Sequence, residues 1–295
     1  MIVSCGESLV DLVPDPVPGG GPFNVAVACA RLGAPVRFAG CVSTDNYGSQ
    51  IIDHLVANGV DMAAVTRTDA PTARAIIEHT PKLVFRFEGT DTADTMLDTV
   101  DLSDVDGPPP IVHGGTLGLF RGRTAETLAQ LAERHTGIVS LDPNVRPQII
   151  DDRAGWDHFH DRWLPHVSIY KGSDEDLEWI WPDLDPVAAA ERLLAMGVTA
   201  VVLTRGSDGI VVYTSEDEIS AAAPAVDVVD TVGAGDTIVG AILTSLHEAG
   251  VASDEQLAAI DSGFWKIAAD RAVAAAGVTV TRAGAQPPHR HELDW

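Results

Sequence analysis

The stretch "VVDTVGAGDTIVGAIL" (228–243) sets two unlike patterns back to back. Gly233, Ala234 and Gly235 are consecutive small residues, and an acid, Asp236, follows them. Ile238, Ile242 and Leu246, with Val239 and Leu243 beside them, then recur at helical spacing up to Gly250. The preceding "VDVV" (226–229) reads as a strand. The glycines are therefore expected at a strand-to-helix turn, with Asp236 in the first turn of a buried helix. Two functions fit that placement. The glycines could merely permit close packing, with Asp236 complementing the helix dipole. Alternatively, free amides and the dipole make an anion hole, beside which Asp236 could take a proton from an attacking hydroxyl. Spacing alone leaves both open.

The rest of the chain alternates apolar strands with amphipathic helices, as a parallel sheet requires. "MIVSCG" is a strand, "FNVAVACARLG" (23–33) a helix closed by Gly33, "VRFAGCV" (36–42) a strand and "YGSQIIDHLVANGV" (47–60) a helix. Strands recur at "PIVHGG", "GIVSLDPN", "VSIYKG" and "AVVLTRG". Asp185 and Pro186 open a helix that Gly197 closes. After "AVVL", a "GSDG" turn and "IVVYT" predict a hairpin at the sheet edge. The expected fold class is thus α/β, a doubly wound, mostly parallel sheet flanked by helices, in one domain spanning 1–295. One segment breaks the alternation. "TARAIIEHTPKLVFRFEGTDTAD" (72–94) holds two β-rich runs around "HTPK", with Leu83, Phe85 and Phe87 on one face and Lys82 and Arg86 on the other. It reads as a small β lid over about 70–95, with 12–18 as a candidate addition, or as an ordinary hairpin of the main sheet.

Composition narrows the function classes. The chain has 295 residues, 45% of them hydrophobic and 21% charged, with a formal net charge of −24. Such charge repels nucleic acid and anionic membranes. No apolar run reaches the roughly 18 residues of a membrane span. The N-terminus lacks a basic leader, and Cys5, Cys29 and Cys41 show no CxxC spacing, so a reducing cytoplasm is expected. His158, His160 and "HRHEL" look like solvated side chains without a completing ligand set. Neither a P-loop nor a GxGxxG after the first strand is present.

"DTVGAGDTIVGAIL" resembles the C-terminal signature of the ribokinase-like (PfkB) carbohydrate kinases, and "PGGGPFNVAVACARLG" (18–33) their N-terminal di-glycine signature. The match runs in order from "GESLVDLVP" to "TRAGAQPP". "SLDPNVRPQII" and "YKGSDEDLEWIWP" are most similar to bacterial fructokinases. The resemblance implies a ribokinase-like fold that transfers the γ-phosphoryl group of Mg·ATP to a sugar hydroxyl, fructose first. 2-Keto-3-deoxygluconate or a nucleoside is the alternative acceptor, and a non-catalytic sugar sensor the alternative class. It implies Asp236 as base and amides of Gly233, Ala234 and Gly235 around the phosphoryl group. It further implies sugar contacts from Asp11, at the end of the first strand, and from Gly20 and Asn24, although Asn24 could also be a helix N-cap. Thr204, Arg205 and Gly206 of "LTRGSDG" would meet ATP phosphates, where a plain β-turn is the rival. Asn144 and Arg146 of "DPNVR" lie just past a strand end, where open α/β sheets bind ligands. Arg146 could neutralise transferred charge or pair with a nearby acid, and Arg86 could close over the sugar. The metal-linked N-x-x-E motif is altered to Ser173 and Asp176, which also fit a capping box. Asp230, Thr231, Arg282 and Gly284 match a loop that holds K⁺ in relatives. Three prolines in "LVPDPVP" imply a reduced lid, and the protein is expected to be a monomer or homodimer without nucleic-acid or membrane partners.

Overall fold

The computed structural model describes residues 1–13, 15–79 and 83–295, with side chains for 1–12, 16–76 and 86–295. Residues 80–82 of the "HTPK" turn, Lys82 among them, therefore lie outside the described residues, as do the Leu83 and Phe85 side chains. The chain opens with β1 (Ile2–Cys5), β2 (Leu9–Val13), β3 (Asp15–Gly19), α1 (Gly21–Arg31), β4 (Val36–Ser43), α2 (Asn46–Ala57) and β5 (Asp61–Thr68). It continues through β6 (Arg74–His79), β7 (Leu83–Glu88), β8 (Ile111–Gly115), α3 (Gly122–Arg134), β9 (Val139–Asp142) and α4 (Arg153–Trp163). Next come β10 (Ile169–Ser173), α5 (Asp174–Ile180), α6 (Pro186–Ala195), β11 (Ala200–Thr204), β12 (Ile210–Tyr213) and β13 (Glu218–Ala221). The chain ends in α7 (Ala234–Glu248), α8 (Asp254–Ala258) and α9 (Ser262–Thr279).

Among the described residues, nine strands form one sheet in the order β13-β12-β11-β10-β9-β8-β1-β4-β5. Every pairing from β11 to β5 is parallel, and β12 and β13 add an antiparallel edge. Parallel strands need crossover helices, which cover both faces of the sheet and bury the strands between them. Accordingly β1, β4 and β9 are buried along their whole length. On one face Ile238, Ile242 and Leu246 of α7 pack with Ala268, Ala272 and Ala275 of α9 and Val25 of α1. On the other, Leu128 of α3, Trp156 and Trp163 of α4, and Leu193 of α6 close the core. Each such Val, Leu or Ile side chain contributes about 1.5–3 kcal/mol by leaving water. The helix starts agree with their sequence signals: Asp45 accepts from the Gly48 N–H, and Asp185 from the Ala188 N–H, with Pro186 in the first turn.

A second sheet of four strands, β3-β2-β6-β7, stands outside the first. Its β6–β7 pair is the strand pair expected over 72–94. Two expectations fail here. The segment around "LVPDPVP" is not reduced, because β2 and β3 supply two of the four strands of this second sheet. Pro16 and Pro18 fit because β3 is the edge strand, where a missing N–H costs no ladder bond. Asp11 is also not at the end of the first strand. The chain breaks at Gly6, and Asp11 sits in the middle of β2, facing Val17 of β3 and Ala75 of β6. Three further expectations are corrected. "VDVV" forms no strand but an irregular segment in which Val226, Val228 and Val229 are exposed. Asn24 is not an N-cap: α1 begins at Gly21, its cap is Gly20, and Asn24 lies a turn inside. His160 is not solvated, since it is buried, stacked on Trp156 and bonded to the Tyr170 hydroxyl at 2.9 Å.

Candidate active site

The strand order reverses direction around β1, which has β4 on one side and β8 on the other. Open α/β sheets leave a crevice at the carboxyl ends of strands at such a point. Here the crevice is a cavity of about 670 Å³. Residues at or just past the strand ends build its wall: Glu7 after β1, Thr116 after β8, Asn144 and Arg146 after β9, Asp176 after β10, and Thr204 at the end of β11. The second sheet closes one side with Leu9, Asp11 and Phe87. The Gly turn and Asp236 close another.

Asp236 lies in the first turn of α7 and is buried to 8% exposure. The Asn24 amide donates to its Oδ2 at 2.8 Å, so the two signatures, far apart in the chain, meet at one carboxylate. Burial raises the Asp236 pKa to about 6, against the Asn24 bond. Asp142 raises it further, while Lys171 and Arg146 oppose. Gly233 is the N-cap of α7 at φ 78°, a left-handed conformation. A Cβ there would lie 2.5 Å from that of Ala285, so both backbone and space demand glycine.

The opposite wall is acidic too. Burial, with Asp236 and Asp230 adding to it, raises the Asp11 pKa to about 7, while Arg146 works the other way. Glu7 is fully buried, accepts from the Gly21 and Gly118 N–H groups at 2.9 and 3.0 Å, and is pushed up to about 8 by burial. Glu7 thereby anchors the di-glycine turn, where Gly20 has φ 114° and a Cβ would meet the Glu7 carbonyl at 2.9 Å. Asn144, at φ 39°, directs its amide toward the Thr116 hydroxyl at 3.4 Å, and Thr116 is itself at φ 49°. Two non-glycine residues held in the left-handed region side by side, past the ends of neighbouring strands β8 and β9, are the kind of strain that gathers at functional sites.

The other expected residues divide. Arg146 lines the cavity, and its guanidinium donates to the Val145 carbonyl at 3.0 Å. Ser173 and Asp176 do form a capping box. The Ser173 hydroxyl accepts from the Asp176 N–H, and Asp176 Oδ2 accepts from the Ser173 N–H and hydroxyl at 2.9 and 2.7 Å. Asp176 Oδ1 takes the Val145 N–H at 2.7 Å, pinning the "DPNVR" loop. Thr204 reaches the cavity, whereas Arg205 bonds the Tyr213 hydroxyl at 2.9 Å and, with Asp174, lines a neighbouring groove. Gly206 begins the short turn after β11. Arg86 is exposed and outside the cavity lining, while Phe87 on the same strand lines it. Asp230 and Gly284 do meet: Asp230 accepts from the Val232 and Gly284 N–H groups at 3.0 and 2.8 Å. Thr231 lines the cavity, and Arg282 turns instead to Glu292 at 2.5 Å.

Glu7, Thr116, Asp142 and Lys171 escaped the reading of the sequence. Lys171 left a signal: a cation inside the apolar strand "VSIYKG" must have a buried partner. It finds Asp142 at 3.0 Å. Among the described residues, no group of three or more His, Cys, Asp or Glu is arranged to hold a metal, and no helix is long and apolar enough to cross a membrane.

The model of the pfkB family carbohydrate kinases matches residues 15–292. The fructokinase of Rhizobium leguminosarum bv. trifolii is 34% identical over 274 residues, covering 88% of this chain and 84% of its own. Among solved structures, fructokinase with bound ATP from Xylella fastidiosa superposes with a TM-score of 0.88 at 26% identity, covering 96% of this chain and 93% of that one. Aminoimidazole riboside kinase from Salmonella enterica, complexed with aminoimidazole riboside and an ATP analog, gives 0.82 at 28%, covering 96% and 94%. Fructokinase from Vibrio cholerae O395, in a form with fructose, ADP and calcium bound, gives 0.82 at 25%, with the same coverage.

Proposed function

The chain belongs to the pfkB family of carbohydrate kinases, and from that premise we propose that it transfers the γ-phosphoryl group of ATP to a hydroxyl of fructose. The observation that carries this reading is the Asp236 carboxylate, fixed by Asn24 inside the cavity at the N-terminus of α7. A carboxylate with a pKa raised to about 6 is still ionised at neutral pH, yet basic enough to accept the hydroxyl proton. In the first turn of α7 the Ala234 N–H is given to the Thr231 carbonyl at 3.3 Å, so the expected part for its amide falls away, and the Gly235 and Asp236 N–H groups are the ones that would meet the charge developing on the phosphoryl group. Asp11 and Asn144 flank the position of the sugar, where a carboxylate can accept from two adjacent hydroxyls. The second sheet, with Phe87 against the cavity, acts as the lid that keeps water from the activated phosphate.

ATP is paired with a divalent ion, which neutralises phosphate charge when bound. Both oxygens of Asp176 already accept protein donors, so that ion would rest mainly on phosphate oxygens and water, with Asp176 behind a water. Fructose is favoured as the acceptor by the relatives at the level of sequence, whereas the aminoimidazole riboside kinase keeps a riboside in view.

An assay coupling ADP release to a panel of fructose, ribose, 2-keto-3-deoxygluconate and aminoimidazole riboside tests the reading. Fructose should give the highest kcat/KM, and Asp11→Ala should raise its KM at least tenfold, because unpaired sugar hydroxyls are strongly rejected. A riboside or keto-deoxy acid turned over better than fructose would reassign the substrate. Absence of ADP release with every sugar would end the kinase reading.

A further inference from the structure

Lys171 is one of three lysines in the chain and lies on β10, buried to 5% exposure. Its ammonium pairs with Asp142 of β9 at 3.0 and 3.3 Å. It also sits directly beneath the anion turn: a Cβ built on Gly235 would come within 3.0 Å of Lys171 Nζ. Lys171 itself lines the cavity. A buried ion pair is a poor device for stability alone, because desolvation of both charges offsets their attraction. Its position beneath the turn calls for another account.

We propose that Lys171 is a positioning residue for phosphoryl transfer, its ammonium holding the Gly233–Gly235 turn and the Asp236 carboxylate in their working state while Asp142 fixes the ammonium in place. The inference rests on the kinase reading of the site. In a pocket lined by Glu7, Asp11, Glu175, Asp176 and Asp236, an incoming polyanion meets few countercharges. Arg146 supplies one from the loop after β9, and Lys171 supplies the one below the turn. The groups facing Asp236 are Asp11 from β2, Asp142 from β9, Arg146 and Lys171, with the neutral Asn24 from α1. Those facing Lys171 are Asp142, Asp176 from α5, Asp236, and His113 from β8, a buried ring held neutral beside Ser140. Burial works against the charge on Lys171, but the carboxylates outweigh it and hold its pKa up, so the ammonium keeps its proton throughout the working range.

The test compares Lys171→Met, Asp142→Asn and the double variant Lys171→Met/Asp142→Asn by kcat, KM, pH profile and Tm. Turnover of fructose by the wild-type enzyme, measured first, judges the kinase reading by itself. Asp142→Asn leaves the ammonium unbalanced beside Asp236, so the acid limb of kcat/KM should move down by about one pH unit. The double variant removes both charges of the pair and should regain most of the Tm lost in either single variant, with kcat still depressed about 10²-fold and the fructose KM within a few-fold. That split supports the proposal, and it can be read even if Lys171→Met alone does not fold. If the double variant regains kcat together with Tm, or Asp142→Asn leaves the acid limb in place, the pair is only a brace for the fold and the proposal is overturned.

Discussion

Asp236 joins three demands that no other residue in the cavity meets together. It must be buried enough to be basic, paired enough to be oriented, and close enough to the α7 N-terminus to face a phosphoryl group. Burial raises its pKa to about 6, and the Asn24 amide both orients it and limits that rise. Asp236→Asn should therefore keep the fold and bind fructose within a few-fold of wild type. Its kcat should fall by about 10²–10⁴, the usual worth of a positioned base. In the wild type, kcat/KM should decline as pH falls through about 6, where Asp236 takes up its proton. A variant within a few-fold of wild-type kcat would make Asp236 a dipole cap and nothing more.

Elements meet at the site through loops, and one junction carries an expectation of its own. The Asp230 carboxylate ties residue 232, just before the Gly turn, to Gly284 beyond α9 by accepting both of their backbone N–H groups. The turn's conformation thus depends on a loop more than fifty residues away, and a cation seated against these loops would stiffen both. We expect turnover to be higher in potassium than in tetramethylammonium buffer at matched ionic strength. Equal rates in the two would leave Asp230 as a mechanical tie. The second sheet depends on the same logic of elements: β2 carries Asp11 into the cavity only because β3 and β6 flank it on either side.

The whole molecule concentrates acids where a polyanion must bind, and its stability should show this. Below the ordinary carboxylate range all three of Glu7, Asp11 and Asp236 are protonated in both folded and unfolded chains. Above it the unfolded chain releases protons that the fold retains, so the stability they confer is lost as pH rises through their folded values. Asp11 at about 7 and Glu7 at about 8 set the window. The buried His113 and His160, with pKa values lowered to about 3 by burial, act in the opposite sense only below pH 6.5. The Tm of the ligand-free protein should therefore fall by several degrees between about pH 6.5 and 8.5, and Asp11→Asn should flatten that fall. A Tm that stays level or rises across the window would show that these acids are solvated in the free protein.

Sequence determined what is local. Periodicity gave the alternation of strands and helices, the caps Asp45 and Asp185 wrote their own helix starts, and the Gly turn before α7 announced Asp236. The prolines of "LVPDPVP" misled, pointing to a reduced lid where Pro16 and Pro18 lie in a paired edge strand, because strand pairing depends on which chain segments lie beside one another. "VDVV" failed as a strand for the same reason, since β propensity forms no strand where no neighbour offers a ladder. Tertiary structure alone decided the long-range pairings of the site: Asn24 with Asp236, Glu7 with Gly118, and Lys171 with Asp142 beneath Gly235. These are contacts between residues 29 to 212 positions apart. Their energies come from burial and charge in a cavity that exists only once the sheet has closed, so no window of sequence contains them.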